Sequence, residues 1–416
     1  MSKSKLLYLV LLLSFCTCLT FVVHGAPLDV GIIGISVENL EPTLRQWAAE
    51  NNIEIGVIEN IGWNSGKVIN RALAGIPYDV VCAVIEEAKV LVNHGLLLPL
   101  NDLIAAEPEF AEDLYEDIHP SVMAMFNFKG NQFYIPSEWN LCIMYYNTAM
   151  FEQAAIDYPD SDWEIAQFQS CARKLSCDID GDGTNDEYGY GAFGWNPWEI
   201  GPWINTFGGA ILDETWTASR MSRPETINAL EFIQGMLEEG SMPPISIQWD
   251  YLPEHNKCAM WLAGHGPMGI YRNLNWTDYD IQHMPACNKN RGTALGGAGY
   301  GISVNTKDRE AAWKVLKFLT GKAIRDEMQA QNMDIGAFPP RKSVGFYELA
   351  PNIPPKNAIA FYEALDYATT VPSPVQYPEV DGVVREYLGI IWRGEDSVSN
   401  VALQMHDLIN SILSGN

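Results

Sequence analysis

The chain is expected to fold as a two-lobed α/β protein, each lobe a central mixed or mostly parallel sheet flanked by helices. Strand-like apolar runs alternate with helical patterns from the start of the mature region, the arrangement that builds a parallel sheet covered by helices. After the first 25 residues about 390 remain, more than the roughly 250–300 that one hydrophobic core sustains. No linker rich in Pro, Gly or Ser separates two halves, so the lobes are not beads on a single string.

Taken in order, Lys3 and Lys5 precede an apolar run from Leu6 to Val23, and Val23-His24-Gly25 offers small residues for cleavage, so residues 1–25 read as a secretory signal peptide. The run also approaches the lower length limit for spanning a bilayer, which leaves a retained anchor as the alternative. Leu28–Gly34, Ile53–Ile58 and Asp79–Ile85 read as buried strands, with Leu40, Leu44, Trp47 and Ala48 on one face of a helix between the first two. Turn residues followed by β-formers make Gly130 to Asn147 extended, and a helix carrying Trp163 runs to Leu175. Ser222 and Glu225 have capping-box spacing before a helix with Ile227, Leu230, Ile233 and Leu237 on its apolar face, stopped at Gly240. A further helix spans about Asp308–Leu319 and ends at Gly321, and Val398, Val401, Met405, Leu408 and Ile412 form a C-terminal amphipathic stripe.

Asp178, Asp180 and Asp182 alternate before Gly183, which is the D-x-D-x-D-G start of a calcium loop, where the glycine permits a sharp turn and short carboxylates converge. Thr184 would add a backbone carbonyl and Asp186 a ligand directly or through water. Position twelve is Gly189 rather than a bidentate glutamate, so this is not an EF-hand switch. Hard oxygen ligands favour a structural calcium ion over transition metals. The alternative is an acidic turn that holds no ion.

The formal charge of −26 becomes −28 once the two lysines of residues 1–25 are removed, which excludes nucleic acid and anionic membrane as partners. Six cysteines remain, Cys82, Cys142, Cys171, Cys177, Cys258 and Cys287, with no C-x-x-C pair to hold zinc. Cys82 and Cys142 lie in strand-like runs as small hydrophobes. Cys171 and Cys177 are the better candidates for a disulfide.

Several short segments then recur in an order that resembles the extracellular solute-binding proteins of ABC importers, in the sugar-binding group that includes maltose-binding proteins. Tyr78-Asp79-Val80-Val81, Gly95 to Asn101, Gly130 to Pro136 with Tyr145-Tyr146-Asn147, Asp162-Trp163-Glu164, Gly208-Gly209-Ala210-Ile211 and Cys258-Ala259-Met260 look like that group's landmarks. The likeness covers nearly all of the mature chain. It implies a periplasmic-binding-protein fold with about three hinge crossings, near residues 138–142, 296–301 and 336–342. The first lobe is then 28–138 plus 300–338, and the second 139–299 plus 339–416. It further implies an exported, periplasmic or cell-surface monomer that holds a carbohydrate between its lobes and delivers it to membrane permease subunits.

Sugar sites stack aromatic rings on pyranose faces and place polar groups on the hydroxyls. By position in the resembled pattern, the candidates are Glu138, Trp139, Trp195, Trp198, Tyr271, Arg272, Tyr300 and Arg341, with Glu138, Arg272 and Arg341 taking hydroxyls or a sugar carboxylate. Asn39 and Trp63 fall in loops after the first two strands, at the carboxyl ends where open α/β sheets bind ligands. Trp203, Trp249, Trp261 and Trp276 belong to the same tryptophan-rich stretch, whereas Trp47, Trp163 and Trp313 sit on helical apolar patterns and are assigned to packing.

A secreted glycoside hydrolase is the main alternative from another class, since it needs only two placed carboxyl groups. A peptide- or polyamine-binding protein is the alternative within transport. No His-Glu-x-x-His occurs, and Gly34 to Glu38 and Gly301 to Asn305 both lack the last glycine of a nucleophile elbow. Gly264-His265-Gly266-Pro267-Met268-Gly269 matches a dinucleotide fingerprint formally, but Pro267 removes an amide and Ile270-Tyr271 reads as strand, so it is set aside.

Overall fold

The computed structural model describes residues 26–33, 37–192, 196–244, 253–322, 324, 338–343 and 354–415; the expected signal peptide lies outside them. The strands are β1 (Leu28–Ile32), β2 (Ile55–Asn60), β3 (Val80–Val84), β4 (Asn127–Phe128), β5 (Asn131–Gln132), β6 (Ile135–Leu141), β7 (Ile143–Asn147), β8 (Met260–Ala263), β9 (Tyr279–Gln282), β10 (Thr293–Ile302) and β11 (Ala368–Thr370). The helices that matter below are α1 (Val37–Glu50), α2 (Ser65–Leu73), α3 (Ile85–Asn93), α4 (Pro108–Asp117), α5 (Ile165–Lys174), α6 (Pro197–Thr206), α7 (Pro224–Glu238), α8 (Gly266–Leu274), α9 (Arg309–Leu319), α10 (Tyr377–Trp392) and α11 (Val398–Ser414).

The first sheet has the order β11-β10-β3-β1-β2, with β6 also on β10. β1 is parallel to β2 and β3, and β10 is antiparallel to β3 and β6. β3 reads Val80 to Val84 without alternation because both of its faces are buried. In the second sheet β7 lies between β8 and β9, antiparallel to both. One core joins the first sheet, α1, α3 and α9 to the aromatic face of the second sheet; the other gathers α5, α6, α7, α10 and α11 over its opposite face.

Chain passage between the sheets follows from register. β6 ends at Leu141 and β7 begins at Ile143, so Cys142 alone carries the first crossing, pinned by its amide to the Ala294 carbonyl at 3.1 Å and by Thr293 Oγ1 donating to its carbonyl. The chain thus changes sheets within residues 138–142. Residues 296–301, in contrast, lie inside β10 and pair with β3 and β6 throughout, so the second passage precedes β10, between Gln282 and Thr293. Residues 339–343, expected with the second lobe, contact the first, where Arg341 bridges Ile118, next to Phe338, which bridges Trp139. The return to the second lobe runs from β11 to α10.

Other local expectations divide. α1 buries Leu40, Leu44 and Ala48, and Trp47 stacks on Phe318 at 4.4 Å. Asp308 caps α9 through the Ala311 amide. The Ser222/Glu225 capping box does not form: α7 begins at Pro224 with Arg223 as N-cap and no side-chain cap bond, because proline at the first turn already suits the helix start. Ile270-Tyr271 is helical, not strand; Pro267 lies in the first turn of α8 and initiates it. Leu408 is exposed, and the buried stripe of α11 turns through Ala402 and Ile409 instead. No disulfide joins any of the six described cysteines, the candidates Cys171 and Cys177 included. Cys171 packs half-buried against the second core while Cys177 is exposed and pairs its backbone with Glu187.

Candidate functional site

The parallel strands β1, β2 and β3 end on one edge of the first sheet. Because β10 and β3 run antiparallel, the start of β10 lies at that edge, and so does the end of β6. After β2 the chain turns at Gly62, whose φ of +60° needs no side chain, while Asn60 Oδ1 accepts its amide at 2.9 Å and Asn64 caps α2. Between them Trp63 is 71% exposed, a bare indole at a strand's carboxyl end. β3 enters α3 with no loop, which puts Glu86 and Glu87 in the helix's first turn, where the exposed amides favour acids.

Second-lobe elements meet this edge along a seam. A Cβ on Gly296 would lie 2.7 Å from the Trp198 ring and 3.6 Å from Ile85, so α6 rests its indole on the start of β10 because no side chain intervenes. From α10, Tyr377 and Asp381 come within electrostatic reach of Glu86. Burial pushes the half-buried Glu86 carboxyl up to about 7, and Glu87 and Asp381 add to the shift. Burial also raises the Tyr377 phenol, with Glu86 and Asp381 reinforcing it. Asp381 Oδ2 accepts from Arg385 Nε at 2.8 Å, while its Oδ1 is buried with no hydrogen-bond partner. Further along, Lys89 Nζ donates to the Thr215 carbonyl at 3.2 Å and lies 4.9 Å from the Trp216 ring centre, and Phe128 meets Trp216 edge-on at 6.4 Å. Beside this contact a cavity of about 110 Å³ is lined by Pro197, Gly201, Trp216, Ala294, Thr369 and Val371.

Of the residues expected to bind ligand, Trp63 and Trp198 reach this region, and Glu138 is half-buried on β6 opposite Ala298. Asn39 is exposed, but in the first turn of α1 rather than in a loop. Trp139 is 2% exposed, tilted against Phe338 at 4.9 Å with its Nε1 donating to the Pro339 carbonyl, so it packs the core. Tyr300 is buried opposite Cys82. Tyr271 is buried in a pile with Tyr145, Trp261, Trp276 and Tyr279, from which Arg272 on the same helix faces solvent. Arg341 is buried and serves structure: Nη1 meets Asp113 at 2.6 Å and Asp117 at 3.4 Å, and Nε donates to the Thr320 carbonyl. Trp203 is core, bonded to the Tyr190 hydroxyl at 2.9 Å. Trp195 and Trp249 lie outside the described residues.

Sequence reasoning missed Glu86, Lys89, Trp216, Tyr377 and Asp381. Glu86 carried a usable signal, since it directly follows a strand whose carboxyl end opens on the cleft. Tyr377 and Asp381 carried none, for they reach the seam only through the return from β11.

In the acidic loop, carboxylate oxygens of Asp178, Asp180 and Asp186 lie within 4.8 Å of one another. Asp182 is not among them; its Oδ1 accepts the Thr184 amide at 2.8 Å. Gly181 and Gly183 adopt φ of +79° and +92°, and their amides bind Asp178, while Asp186 Oδ2 accepts from Ile179. Three converging hard donors fit a calcium ion.

No described helix is long and apolar enough to cross a membrane. The family model for bacterial extracellular solute-binding proteins matches residues 38–326. A putative binding protein of Brucella abortus is 26% identical over 250 residues, 56% of this chain and 55% of that one. A mannitol-binding protein of Pseudomonas aeruginosa is 29% identical over 201 residues, 46% of this chain and 43% of its own. The chain thus spans about half the length of the curated relatives it matches. An ABC substrate-binding protein from Listeria monocytogenes, solved with cycloalternan, shares the fold at a TM-score of 0.76 and 18% identity, over 93% of this chain and 99% of that one.

Proposed function

Because the chain belongs to the bacterial extracellular solute-binding protein family, we propose that it captures a carbohydrate between its two lobes and hands it to the permease of an ABC importer. The observation that supports this is the carboxyl edge of the first sheet, which carries an exposed indole at Trp63 and, at the start of β10, the half-buried Trp198 indole of the second lobe. Rings for sugar faces and acceptors for hydroxyls are what a carbohydrate needs. A relative named for mannitol and a fold neighbour solved with cycloalternan support the same class.

Mechanism follows from linkage. A ligand that touches both lobes favours the closed form by its differential affinity for it, and the short passage at Cys142 provides a hinge between rigid sheets. The sugar is returned unchanged. Export through residues 1–25, action as a monomer and calcium held by Asp178, Asp180 and Asp186 complete the proposal.

Thermal melting of the mature protein with mono- and oligosaccharides, sugar alcohols, peptides and polyamines tests it, because a ligand of the folded state raises Tm. A sugar class that raises Tm and is recovered intact after long incubation supports the reading. Hydrolysis of that sugar would turn it toward a glycosidase, and a shift with peptides or polyamines alone would replace the ligand class.

A further inference from the structure

Resting on two lobes that close on one another, and on no particular ligand, we infer that the hairpin of residues 212–219 in the second lobe is a latch: its Trp216 ring engages Lys89 and Phe128 of the first lobe and holds the cleft shut. The hairpin is rooted on its own side. Leu212 and Ser219 bridge one another, the Ser219 amide donates to Asn410 Oδ1 of α11 at 2.8 Å, and Thr226 Oγ1 of α7 donates to the Arg220 carbonyl at 3.2 Å. Its tip reaches the other side. Lys89 Nζ on α3 donates to the Thr215 carbonyl at 3.2 Å and stands 4.9 Å from the Trp216 ring centre, while Phe128 of β4 meets that ring edge-on at 6.4 Å. The half-buried indole packs on both cores.

Trp216 sits at a φ of +58°, a left-handed conformation that a bulky residue keeps only where its surroundings impose it. Asp213 imposes it: its carbonyl accepts the Trp216 amide at 2.9 Å, and its carboxylate accepts the Thr217 and Ala218 amides at 2.7 and 3.1 Å. The strained turn aims one ring across the gap. Burial lowers the Lys89 ammonium from its ordinary value and Lys129 adds to the shift, so the cation is partly stripped of water at the ring, where a cation–π contact is stronger than at an exposed site. Trp216 also borders the cavity of about 110 Å³ rather than a close-packed layer on every side, so the lobes can part there without breaking either core. These contacts join protein groups alone. They stabilise the closed form whatever occupies the cleft, and the differential affinity that a ligand must supply to close the lobes is smaller by the same factor.

The test is small-angle scattering of the unliganded mature protein at a single pH, for Trp216→Ala, Phe128→Ala, Lys89→Met and the double variant Phe128→Ala with Trp216→Ala. Loss of the ring removes an aromatic pair and a cation–π contact together, so the closed-to-open ratio should fall roughly tenfold, read as a larger radius of gyration. Phe128→Ala and Lys89→Met, on the other lobe, should each give a smaller expansion in the same direction. The double variant should expand no further than Trp216→Ala, because the two residues share one contact. Trp216→Gly separates the latch from the strain: glycine fits the left-handed turn, so its Tm should exceed that of Trp216→Ala while the lobes open as far. A thermal melt confirms that each variant folds, and if Trp216→Ala does not, the two first-lobe variants carry the same test. A radius unchanged in the folded variants overturns the proposal, as does expansion confined to the Trp216 variants or additive expansion in the double variant. No sugar enters the measurement, so the latch can fall while the carbohydrate reading stands, and the reverse.

Discussion

Trp63 and Trp139 both stand in segments rich in turn and polar residues, yet one is 71% exposed and the other 2%. The difference lies in the backbone each belongs to. Trp63 follows a left-handed glycine in a strand-to-helix turn, whereas Trp139 occupies the inward position of β6, where Ile135, Ser137 and Leu141 are also buried. Trp63→Ala should weaken sugar binding several-fold, for about 1 kcal/mol of stacking, and leave Tm unchanged; titration and melting together check this. Trp139→Ala should cost about 3–5 kcal/mol of stability, read by denaturant unfolding. Arg341→Ala should behave like Trp139→Ala rather than Trp63→Ala. It takes a buried guanidinium from Asp113 and Asp117 but leaves them Lys322, with a loss of about 1–3 kcal/mol and unchanged affinity in whatever fraction folds. A family pattern read along the sequence put Trp139, Tyr300 and Arg341 at the ligand because it reports proximity in the chain, while burial is decided by distant partners such as Phe338, Cys82 and Asp113.

Among elements, those with strong periodicity and clear ends were legible: β1, β2 and β3, the face of α1, and α9 with its Asp308 cap. Misreadings arose where two local signals competed, as at Pro224, which displaced the Ser222 cap, and at Pro267, which starts α8 despite β-branched Ile270. The acidic loop shows the value and the limit of spacing. The spacing put Asp178, Asp180, Asp182 and Asp186 in one loop; Asp178, Asp180 and Asp186 converge there, whereas Asp182 turns to the Thr184 amide. If calcium binds there it adds RT ln(1 + [Ca]/Kd), about 2.7 kcal/mol at a hundredfold excess over Kd. Chelation should therefore lower Tm reversibly, Asp186→Asn should abolish the calcium response, and Asp182→Asn should leave most of it. An unchanged Tm on chelation would mean an ion-free turn. The loop sits between α5 and the strand-like backbone that joins Tyr188 to Cys258, so the loss should fall on the second lobe alone.

At the scale of the whole molecule, two opposed pH dependences meet. Burial pushes the Asp113 and Asp117 carboxyls up, but Lys322, Arg341 and Ser343 more than offset this and hold them below the usual range. Such groups contribute stability above their unfolded pKa that is lost as pH falls through the folded value. Glu86 has the reverse sign, since burial holds its folded carboxyl at about 7, above its ordinary 4.5. Between those values the folded protein binds the extra proton, so its contribution is complete below about 4.5 and declines as pH rises through 7, by on the order of 1–3 kcal/mol. The unliganded protein should therefore be most stable near pH 5, and Tm should fall between pH 5 and 8 by an amount that Glu86→Gln removes. Unlike Asp113 and Asp117, Glu86 lies on the seam, where separating the lobes rehydrates its carboxylate without unfolding either core. Part of the response should then appear as opening: the radius of gyration from small-angle scattering should increase from pH 5 to 8 in the unliganded protein and contract again when sugar is added. A Glu86→Gln variant with the same pH slope in both Tm and radius would place the titrating group elsewhere, and would remove the seam as the point where charge and lobe closure are coupled.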